Sequence, residues 1–229
     1  MSYAVPAAPE VTLPVVGAED VFPVRRIWCV GRNYAAHARE MGSDPSRDFP
    51  FFFAKPTDAI VQSGDPIPYP LGTKNLHHEI ELVVAMGKAG TAIPVENALD
   101  HVFGYAVGLD MTRRDLQNAA KDAGRPWEMG KSYDFSAPCS AVQPASEIGH
   151  PDKAAIWLKV NGEIRQSSDI SFLIWSVPEI ISYLSQLIEF HPGDLIYTGT
   201  PEGVGAVVAG DVMEGHIDGI GDIKTPILK

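Results

Sequence analysis

Short apolar runs bounded by Gly, Pro and Asp recur along most of the chain. Runs of this kind are typical of β-strands in a folded core. The runs that we interpret as strands are Ile27–Val30, Phe51–Ala54, Ile80–Met86, Val102–Leu109, Ile156–Val160, Leu195–Tyr197 and Val212–Ile217. The pattern therefore predicts a β-rich protein.

One connection between predicted strands is specified by its turn residues. Asn161 and Gly162 follow the run Ile156–Val160 and precede the segment 163–166. Asn-Gly supplies the positive φ angles that a two-residue hairpin turn requires. We therefore predict a β-hairpin centred on this dipeptide.

Helical signals are fewer than strand signals. The spacing of Ser176 and Glu179 predicts a capping box at the start of a helix over Val177–Ile188. Thr112 is predicted to cap a second helix over Arg113–Ala123. A shorter helix is expected from Tyr34 to Met41.

The order of these elements predicts an α+β fold with a mixed, β-rich sheet, because strands do not alternate regularly with long helices. No fixed-period repeat or low-complexity linker divides the chain. Residues 1–24 carry several prolines and are expected to form an irregular leader. Residues 25–229 are expected to form a single domain.

Composition narrows the range of partners. The 229 residues carry a formal net charge of −11, so a nucleic-acid backbone would be repelled. No apolar run approaches the roughly 20 residues needed to span a bilayer. The N-terminus lacks the features of a signal peptide, and the two cysteines are far apart. These features favour a cytoplasmic protein without nucleic-acid or membrane partners.

The first candidate for chemistry is a pair of carboxylates in the segment Leu76–Val84, which we interpret as a strand entering the core. Period-two geometry puts Glu79 and Glu81 on one face, with Cα atoms about 7 Å apart. Two buried like charges repel each other, and a divalent cation reverses that balance. The alternative is that both side chains line the solvated face of an edge strand.

A third carboxylate, Asp110, ends the run Val102–Leu109. Three carboxylates offer only oxygen ligands, which suit a hard cation such as Mg²⁺ or Mn²⁺. The sequence therefore predicts a metal site formed by Glu79, Glu81 and Asp110.

Three further features have weaker signals. His37 and Glu40 share one helix face, so the pair could activate water or could be a surface contact. Lys131 follows an apolar segment and could stabilise a developing oxyanion, although most lysines are solvated. Thr198–Gly205 is a Gly/Pro loop able to bind a carboxylate, or a plain turn.

The chain resembles the fumarylacetoacetate hydrolase family over almost its whole length. The motifs that carry the resemblance are Ile27–Tyr34, Phe51–Pro56, His77–Glu81, Gly108–Asp115, Gly124–Lys131 and Thr198–Gly205. The resemblance implies a mixed β-roll fold with a single catalytic domain, usually assembled as a homodimer. It also implies Mg²⁺ or Mn²⁺ on the three carboxylates named above.

The resemblance further implies a small diketo acid as substrate and hydrolysis of its carbon–carbon bond, with fumarylpyruvate expected to give fumarate and pyruvate. It implies a catalytic group of His37, Glu40 and Lys131, with Gln117 and Thr200 near the substrate. A far carboxylate on the substrate is expected to pair with Arg32 or Arg114, between which the sequence does not choose.

Several alternatives stay open at this stage. Other family members hydrolyse different acylpyruvates, decarboxylate oxaloacetate, or act as hydratases or isomerases on the same metal ligands. From other classes, His77 or His78 could belong to a non-haem iron oxygenase site. The chain could also be a non-catalytic ligand-binding module. A segment over Pro45–Phe49 could cover the site.

Overall fold

A computed structural model describes residues 3–35 and 48–229 of the chain. The strands are β1 (Thr12–Pro14), β2 (Val21–Pro23), β3 (Arg26–Gly31), β4 (Phe51–Lys55), β5 (Ile60–Gln62), β6 (Leu76–His78), β7 (Ile80–Met86), β8 (Val102–Leu109), β9 (Thr112–Arg113), β10 (Ala137–Cys139), β11 (Gln143–Pro144), β12 (Ala155–Val160), β13 (Glu163–Asp169), β14 (Asp194–Tyr197), β15 (Gly205–Val207), β16 (Val212–Ile217) and β17 (Gly221–Pro226).

The described helices are short. The α-helices are α1 (Arg114–Asp122), α2 (Glu128–Lys131), α3 (Ala145–Ile148) and α4 (Val177–Leu184), and the 3₁₀ helices cover Thr57–Ala59, Val95–His101 and Ile170–Phe172. Within the two described stretches, none of these helices has the length and apolar character needed to traverse a bilayer.

A mixed sheet forms the centre of the molecule, with strand order β4-β3-β14-β7-β8-β10-β5 and β11 paired to β8. β14 lies parallel to β3 and antiparallel to β7. A second sheet has the order β13-β12-β16-β17, and a third small sheet has the order β15-β6-β9. This β-rich arrangement with few short helices confirms the predicted α+β class and the mixed β-roll.

The central sheet is buried on both faces, as β7 shows. Leu82 and Val84 pack into the core shared with the β13-β12-β16-β17 sheet. Val83 and Ala85 point the other way, into a second apolar cluster. Because side chains alternate along a strand, Glu81 lies on the same face as Val83.

The N-terminal segment differs from the irregular leader that the prolines predict. β1 and β2 pair antiparallel within residues 1–24, and the side chains of Leu13 and Phe22 are buried in the second cluster. Pro14 and Pro23 stand at strand ends of this two-stranded sheet, where a proline costs little ladder bonding. The apolar residues between the prolines therefore cover the rear face of the central sheet.

The predicted hairpin and the predicted capping box are both confirmed. Asn161 and Gly162 have φ angles of 52° and 83° between the paired strands β12 and β13. The Ser176 side chain and the Glu179 side chain cap α4 reciprocally. This helix ends at Leu184, earlier than the predicted Ile188.

The predicted cap of the helix after Asp110 is wrong. α1 begins at Arg114, and Arg113 is its N-cap without a side-chain hydrogen bond. Thr112 instead lies in β9, which pairs with β6, and its hydroxyl donates to the Asp110 carbonyl at 3.0 Å. The predicted helix over Tyr34–Met41 falls mostly outside the described residues.

Candidate active site

The sheet topology gathers the candidate residues at one edge. β7 runs antiparallel to both β8 and β14, and β14 runs parallel to β3. The start of β7 therefore lies beside the ends of β3, β8 and β14. Glu79 and Glu81 flank the first residue of β7, Asp110 directly follows β8, and the loop with Thr200 follows β14.

Glu79, Glu81 and Asp110 form a buried cluster in which one carboxylate oxygen from each side chain lies within 4.8 Å of the others. Their relative exposures are 4%, 2% and 2%. Glu79 lies in a break between β6 and β7, not inside one continuous strand as predicted. Its carbonyl accepts the Asp110 N–H at 2.8 Å, which holds the two segments together.

Three buried cations surround two of these carboxylates. The Lys131 ammonium lies 2.8 Å from a Glu79 oxygen and 2.6 Å from an Asp110 oxygen. Arg114 pairs with the other Glu79 oxygen, and Lys55 lies 2.9 Å from the other Asp110 oxygen. Within the described residues no ion pair reaches Glu81, whose carboxylate accepts the Gly199 N–H at 2.8 Å.

This environment raises the pKa of Glu81 well above its usual range. Burial is the main cause, and the Asp110 and Glu79 carboxylates add repulsion. Lys131 and the Gly199 N–H act in the opposite direction without cancelling the shift. A negative charge at Glu81 therefore requires additional positive charge close by.

The donor set fits a hard divalent cation. Three carboxylates provide oxygen ligands alone, with no histidine or cysteine in the cluster formed by the described residues. Mg²⁺ and Mn²⁺ prefer such ligands. The three carboxylates and their three cationic neighbours balance formally, so a bound dication would leave the site positively charged and suited to an anionic substrate.

Gly199 is required by the geometry of this site. Its φ angle is +103°, and a Cβ atom there would lie 2.7 Å from the Cβ of Asn33. Asn33 itself donates to the Thr198 carbonyl at 2.8 Å, which ties the end of β3 to the loop after β14. The close approach directs the Gly199 N–H toward Glu81.

Lys131 is placed by the short helix α2. Gly130 allows α2 to approach α1, because a Cβ at Gly130 would lie 2.9 Å from backbone atoms of Gln117. The Lys131 ammonium donates to Glu79, to Asp110 and, at 2.7 Å, to the Thr112 hydroxyl. All three N–H groups are thus engaged, so Lys131 can donate to a substrate only after exchanging one of these bonds.

A pocket opens onto the carboxylates, and the residues predicted to bind substrate all line it. These residues are Arg32, Arg114, Gln117 and Thr200. The side-chain oxygen of Gln117 accepts a hydrogen bond from Arg114 at 2.5 Å, so the side-chain nitrogen of Gln117 is left as a donor. Arg114 is committed to Glu79 and Gln117, whereas Arg32 is exposed beside the Trp127 ring.

Two predicted catalytic residues, His37 and Glu40, lie outside the described residues. Pro45–Phe49 is described only from residue 48 onward, where Phe49 is exposed. The structure also shows residues that sequence reasoning missed: Lys55 is buried against Asp110, and the pocket walls include Phe53, Asn118, Lys121 and Trp127.

The hydrogen bonds of the adjacent histidines are made to residues other than the three carboxylates. His77 hydrogen-bonds to Asn75 at 3.0 Å, and burial with the neighbouring Arg114 lowers its pKa to about 4. His78 hydrogen-bonds to Gln166 at 3.0 Å. Neither histidine joins the carboxylates in the potential metal site formed by the described residues, which removes the local support for an iron oxygenase.

The fold and the acidic cluster define a β-roll enzyme with a divalent-metal site. The family described as fumarylacetoacetate (FAA) hydrolase C-terminal matches residues 26–228. The chain belongs to the fumarylacetoacetate hydrolase family.

Two of the relatives that are similar to the chain are fumarylpyruvate hydrolases. A crystal structure of fumarylpyruvate hydrolase from Pseudomonas aeruginosa in complex with Mn²⁺ and pyruvate is 56% identical, with a TM-score of 0.96 and 99% of each chain covered. The fumarylpyruvate hydrolase of a Ralstonia species is 48% identical over 80% of this chain and 95% of its own length.

A human mitochondrial oxaloacetate tautomerase is equally similar, at 48% identity over 86% of this chain and 92% of its own length. The relatives therefore include more than one activity. Together with the acidic cluster, they make the chain a metal-dependent enzyme of this family and confirm the predicted divalent-metal cofactor.

Proposed function

We propose that the protein hydrolyses fumarylpyruvate to fumarate and pyruvate, with Mg²⁺ or Mn²⁺ bound by Glu79, Glu81 and Asp110. The observation that carries the proposal is the buried carboxylate cluster opening onto a pocket lined by cationic and amide donors. The similarity to fumarylpyruvate hydrolases supports this substrate. When bound, the cation supplies Lewis-acid stabilisation for oxygen atoms of the pyruvyl end.

The pyruvyl end is bound beside the carboxylate cluster. Thr200 and Gln117 line that part of the pocket, and each can offer a hydrogen atom to an oxygen of the substrate. Both side chains are buried, with 3% and 5% exposure. Hydrogen bonds made in a site shielded from water are stronger than the same bonds in solvent.

The reaction adds water across a carbon–carbon bond. The water oxygen attacks the distal ketone, one water proton passes to a base, and the bond to the methylene carbon breaks. That carbon leaves with the electron pair as pyruvate enolate and later takes up a proton, while the acyl carbon becomes the second carboxylate of fumarate. His37, oriented by Glu40, is the proposed base.

Lys131 and Gln117 are the proposed donors to the oxyanion formed by water attack. Gln117 has its amide nitrogen available in the present arrangement, since its carbonyl accepts from Arg114. Lys131 contributes a donor by exchanging its bond to a carboxylate or to Thr112. The hydrogen bonds that Lys131 makes therefore depend on whether a cation occupies the carboxylate cluster.

Arg32 is the proposed partner of the far carboxylate of fumarylpyruvate. Arg114 holds Glu79 and Gln117 and is buried, so it belongs to the inner end of the pocket. Arg32 lies at the outer end, with its guanidinium 5.9 Å from the centre of the Trp127 ring. A guanidinium can bind a carboxylate through two parallel hydrogen bonds.

The activity is tested by measuring fumarate and pyruvate release from fumarylpyruvate after EDTA treatment and after addition of Mn²⁺ or Mg²⁺. We expect turnover only with metal and its loss in Glu79→Gln. Release of both products without metal, or no release with it, would contradict the proposal.

Arg32 is tested with a matched pair of substrates. In Arg32→Met we expect KM for fumarylpyruvate to rise by about 10- to 100-fold, since a hydrogen bond to a charged group contributes about 1.5–3 kcal/mol. KM for acetylpyruvate, which lacks the far carboxylate, should stay unchanged. Equal changes for both substrates would remove Arg32 from this role.

Oxaloacetate tautomerisation is the second candidate, favoured by the similarity to the human enzyme. It requires proton transfer between carbon and oxygen without cleavage. Keto–enol interconversion of oxaloacetate, followed by its ultraviolet absorbance, separates the two activities when both substrates are assayed with the same Mn²⁺-loaded protein. Faster specific turnover of oxaloacetate than of fumarylpyruvate would favour this candidate.

We also propose a cytoplasmic homodimer. The similarity to bacterial fumarylpyruvate hydrolases supports the location, and the buried free thiols of Cys29 and Cys139 suit a reducing compartment. Light scattering after gel filtration tests the assembly: a mass near twice the 24.7 kDa of the chain is expected, and a mass near that of one chain would contradict it.

A further inference from the structure

Gln166 connects the second sheet to the substrate pocket. It lies in β13, is 1% exposed, and reaches both the start of β7 and the loop after β14. Its side chain contacts Ile80, His78, Thr200 and Pro201 through hydrogen bonds. No part of the sequence pattern marks this residue as functional.

The orientation of the Gln166 amide is fixed by backbone partners. The Ile80 N–H can only donate, and it lies 3.1 Å from Oε1. The Pro201 carbonyl can only accept, and it lies 2.9 Å from Nε2. Rotating the amide by 180° would place donor against donor and acceptor against acceptor, so one orientation alone satisfies both groups.

This orientation determines the role of the Thr200 hydroxyl. The second hydrogen of Gln166 Nε2 points at Thr200 Oγ1, at 2.8 Å, so the hydroxyl oxygen accepts that bond. A hydroxyl has one hydrogen of its own. Within the described part of the chain Thr200 makes no second side-chain hydrogen bond, and the residue lines the pocket beside Glu79, Glu81 and Asp110. The hydroxyl hydrogen is therefore available to a ligand.

His78 reinforces the same arrangement. Gln166 Oε1 already accepts from Ile80, and its second lone pair accepts from His78 Nδ1 at 3.0 Å. His78 must then carry its hydrogen on Nδ1. Two donors therefore occupy the side-chain carbonyl of Gln166. The amide has no other set of partners to turn to, so its Nε2 hydrogen stays on Thr200.

We propose that Gln166 is a positioning residue that makes the Thr200 hydroxyl a hydrogen-bond donor for the α-keto carboxylate end of the substrate. A carboxylate only accepts hydrogen bonds, so a hydroxyl committed as an acceptor elsewhere is a preorganised donor for it. The inference rests on the proposed function for the class of ligand, since a pyruvyl group supplies that carboxylate.

The test measures pyruvate binding to the Mn²⁺-loaded protein by calorimetry. In Gln166→Glu the new carboxylate can still accept from Ile80 but has no hydrogen for Thr200, so the hydroxyl turns toward it. We expect the Kd for pyruvate to rise by about 10- to 100-fold, the range for losing a hydrogen bond to a charged group. In the neutral Gln166→Met variant Mn²⁺ affinity should stay within about twofold, because Gln166 forms no hydrogen bond to any of the three carboxylates in the described structure.

Thr200 variants provide the coupling measurement. Thr200→Val should weaken pyruvate binding to a similar degree, and Thr200→Ser, which keeps the hydroxyl, should retain it. The double variant Gln166→Glu with Thr200→Val should bind no more weakly than either single variant, because both remove the same donor. Gln166→Met provides a neutral second variant, and Gln186→Glu, at an exposed position, controls for the added charge.

Multiplicative losses in the double variant, or unchanged pyruvate affinity in both Gln166 variants, would overturn the inference. A purely structural role predicts equal losses of Mn²⁺ and pyruvate affinity, which would also overturn it. Because pyruvate binding does not depend on the acyl group, the coupling can hold even if fumarylpyruvate is not hydrolysed. Conversely, hydrolysis without coupling would contradict this inference alone.

Discussion

Replacing Glu81 by glutamine should stabilise the metal-free protein and weaken its response to metal. Glu81 has no cationic partner within the described residues, and burial with the nearby Asp110 and Glu79 raises its pKa. Two ionised carboxylate oxygens at the 4.8 Å upper limit of this cluster would repel by about 3.5 kcal/mol at an effective dielectric constant of about 20. Glutamine keeps the shape and an acceptor for the Gly199 N–H, and its amide hydrogens can donate to a neighbouring carboxylate.

Lys131 offsets part of this repulsion, so we expect Glu81→Gln to increase the unfolding free energy of the metal-free protein by about 1–3 kcal/mol. For a chain of this size, each kcal/mol raises Tm by about 2–4 °C. Calorimetry on EDTA-treated protein measures the change. Glu214→Gln, which removes an exposed carboxylate paired with Lys224, is the control and should change stability by less than about 1 kcal/mol.

Metal should offset the advantage of the variant, and it reverses the order of the two proteins if that advantage is below about 2.3 kcal/mol. At a free Mn²⁺ concentration about 100 times its Kd, the wild-type protein gains about 2.7 kcal/mol. If Glu81→Gln raises the Kd by about 100-fold, the variant gains only about 0.4 kcal/mol at the same concentration. A variant that is less stable without metal and keeps the full Mn²⁺ response would refute the reasoning.

Three further outcomes follow from the same geometry. Lys55→Met should lower the unfolding free energy, measured by urea titration, by about 3–5 kcal/mol, because it breaks the buried ion pair with Asp110. A loss below about 1 kcal/mol would contradict this. Because its pKa is raised, Glu81 keeps its proton to a higher pH in the folded state than in the unfolded chain. The stability of the metal-free protein should therefore fall as pH rises from the ordinary glutamate range through that pKa. Mn²⁺ affinity should rise over the same interval with proton release, and a pH-independent Kd would contradict it. Gly130→Ala should lower turnover clearly while changing Tm only slightly, because the added methyl group meets the Gln117 backbone and shifts α2. Unchanged turnover would show that α2 adapts and would contradict this expectation.

Local patterns predicted much of the fold. The bounds of Ile80–Met86 and Val102–Leu109 agree with the observed strands, because each segment is apolar apart from Glu81 and ends before a turn-forming residue, Gly87 or Asp110. The Asn161-Gly162 turn and the capping box at Ser176 follow from residue-specific backbone and hydrogen-bonding preferences. These features depend on neighbouring residues and are therefore readable from the sequence.

Features that depend on distant residues were not readable. The parallel pairing of Ile27 with Leu195 joins segments from opposite ends of the chain. Lys55 ends an aromatic strand and resembles a solvated lysine until Asp110 is brought beside it. Gln166 has a polar side chain in a hairpin strand, and only the approach of β7 and the Thr200 loop gives it a role.

The candidate site was predicted where a strand end and an acidic residue coincide in sequence. Glu81 and Asp110 fit that rule, although Glu79 lies in a break between strands. The sequence did not show that Lys131 would engage all its donors on Glu79, Asp110 and Thr112, because α2 is placed against α1 by tertiary packing.

The central claim is that Glu79, Glu81 and Asp110 bind one divalent cation. Anomalous diffraction from crystals grown with Mn²⁺ tests it most directly. We expect a single manganese peak about 2.0–2.2 Å from an oxygen of each carboxylate, the range for hard divalent cations and oxygen ligands. A manganese peak elsewhere, with the Lys131 ammonium still bridging Glu79 and Asp110, would contradict the account.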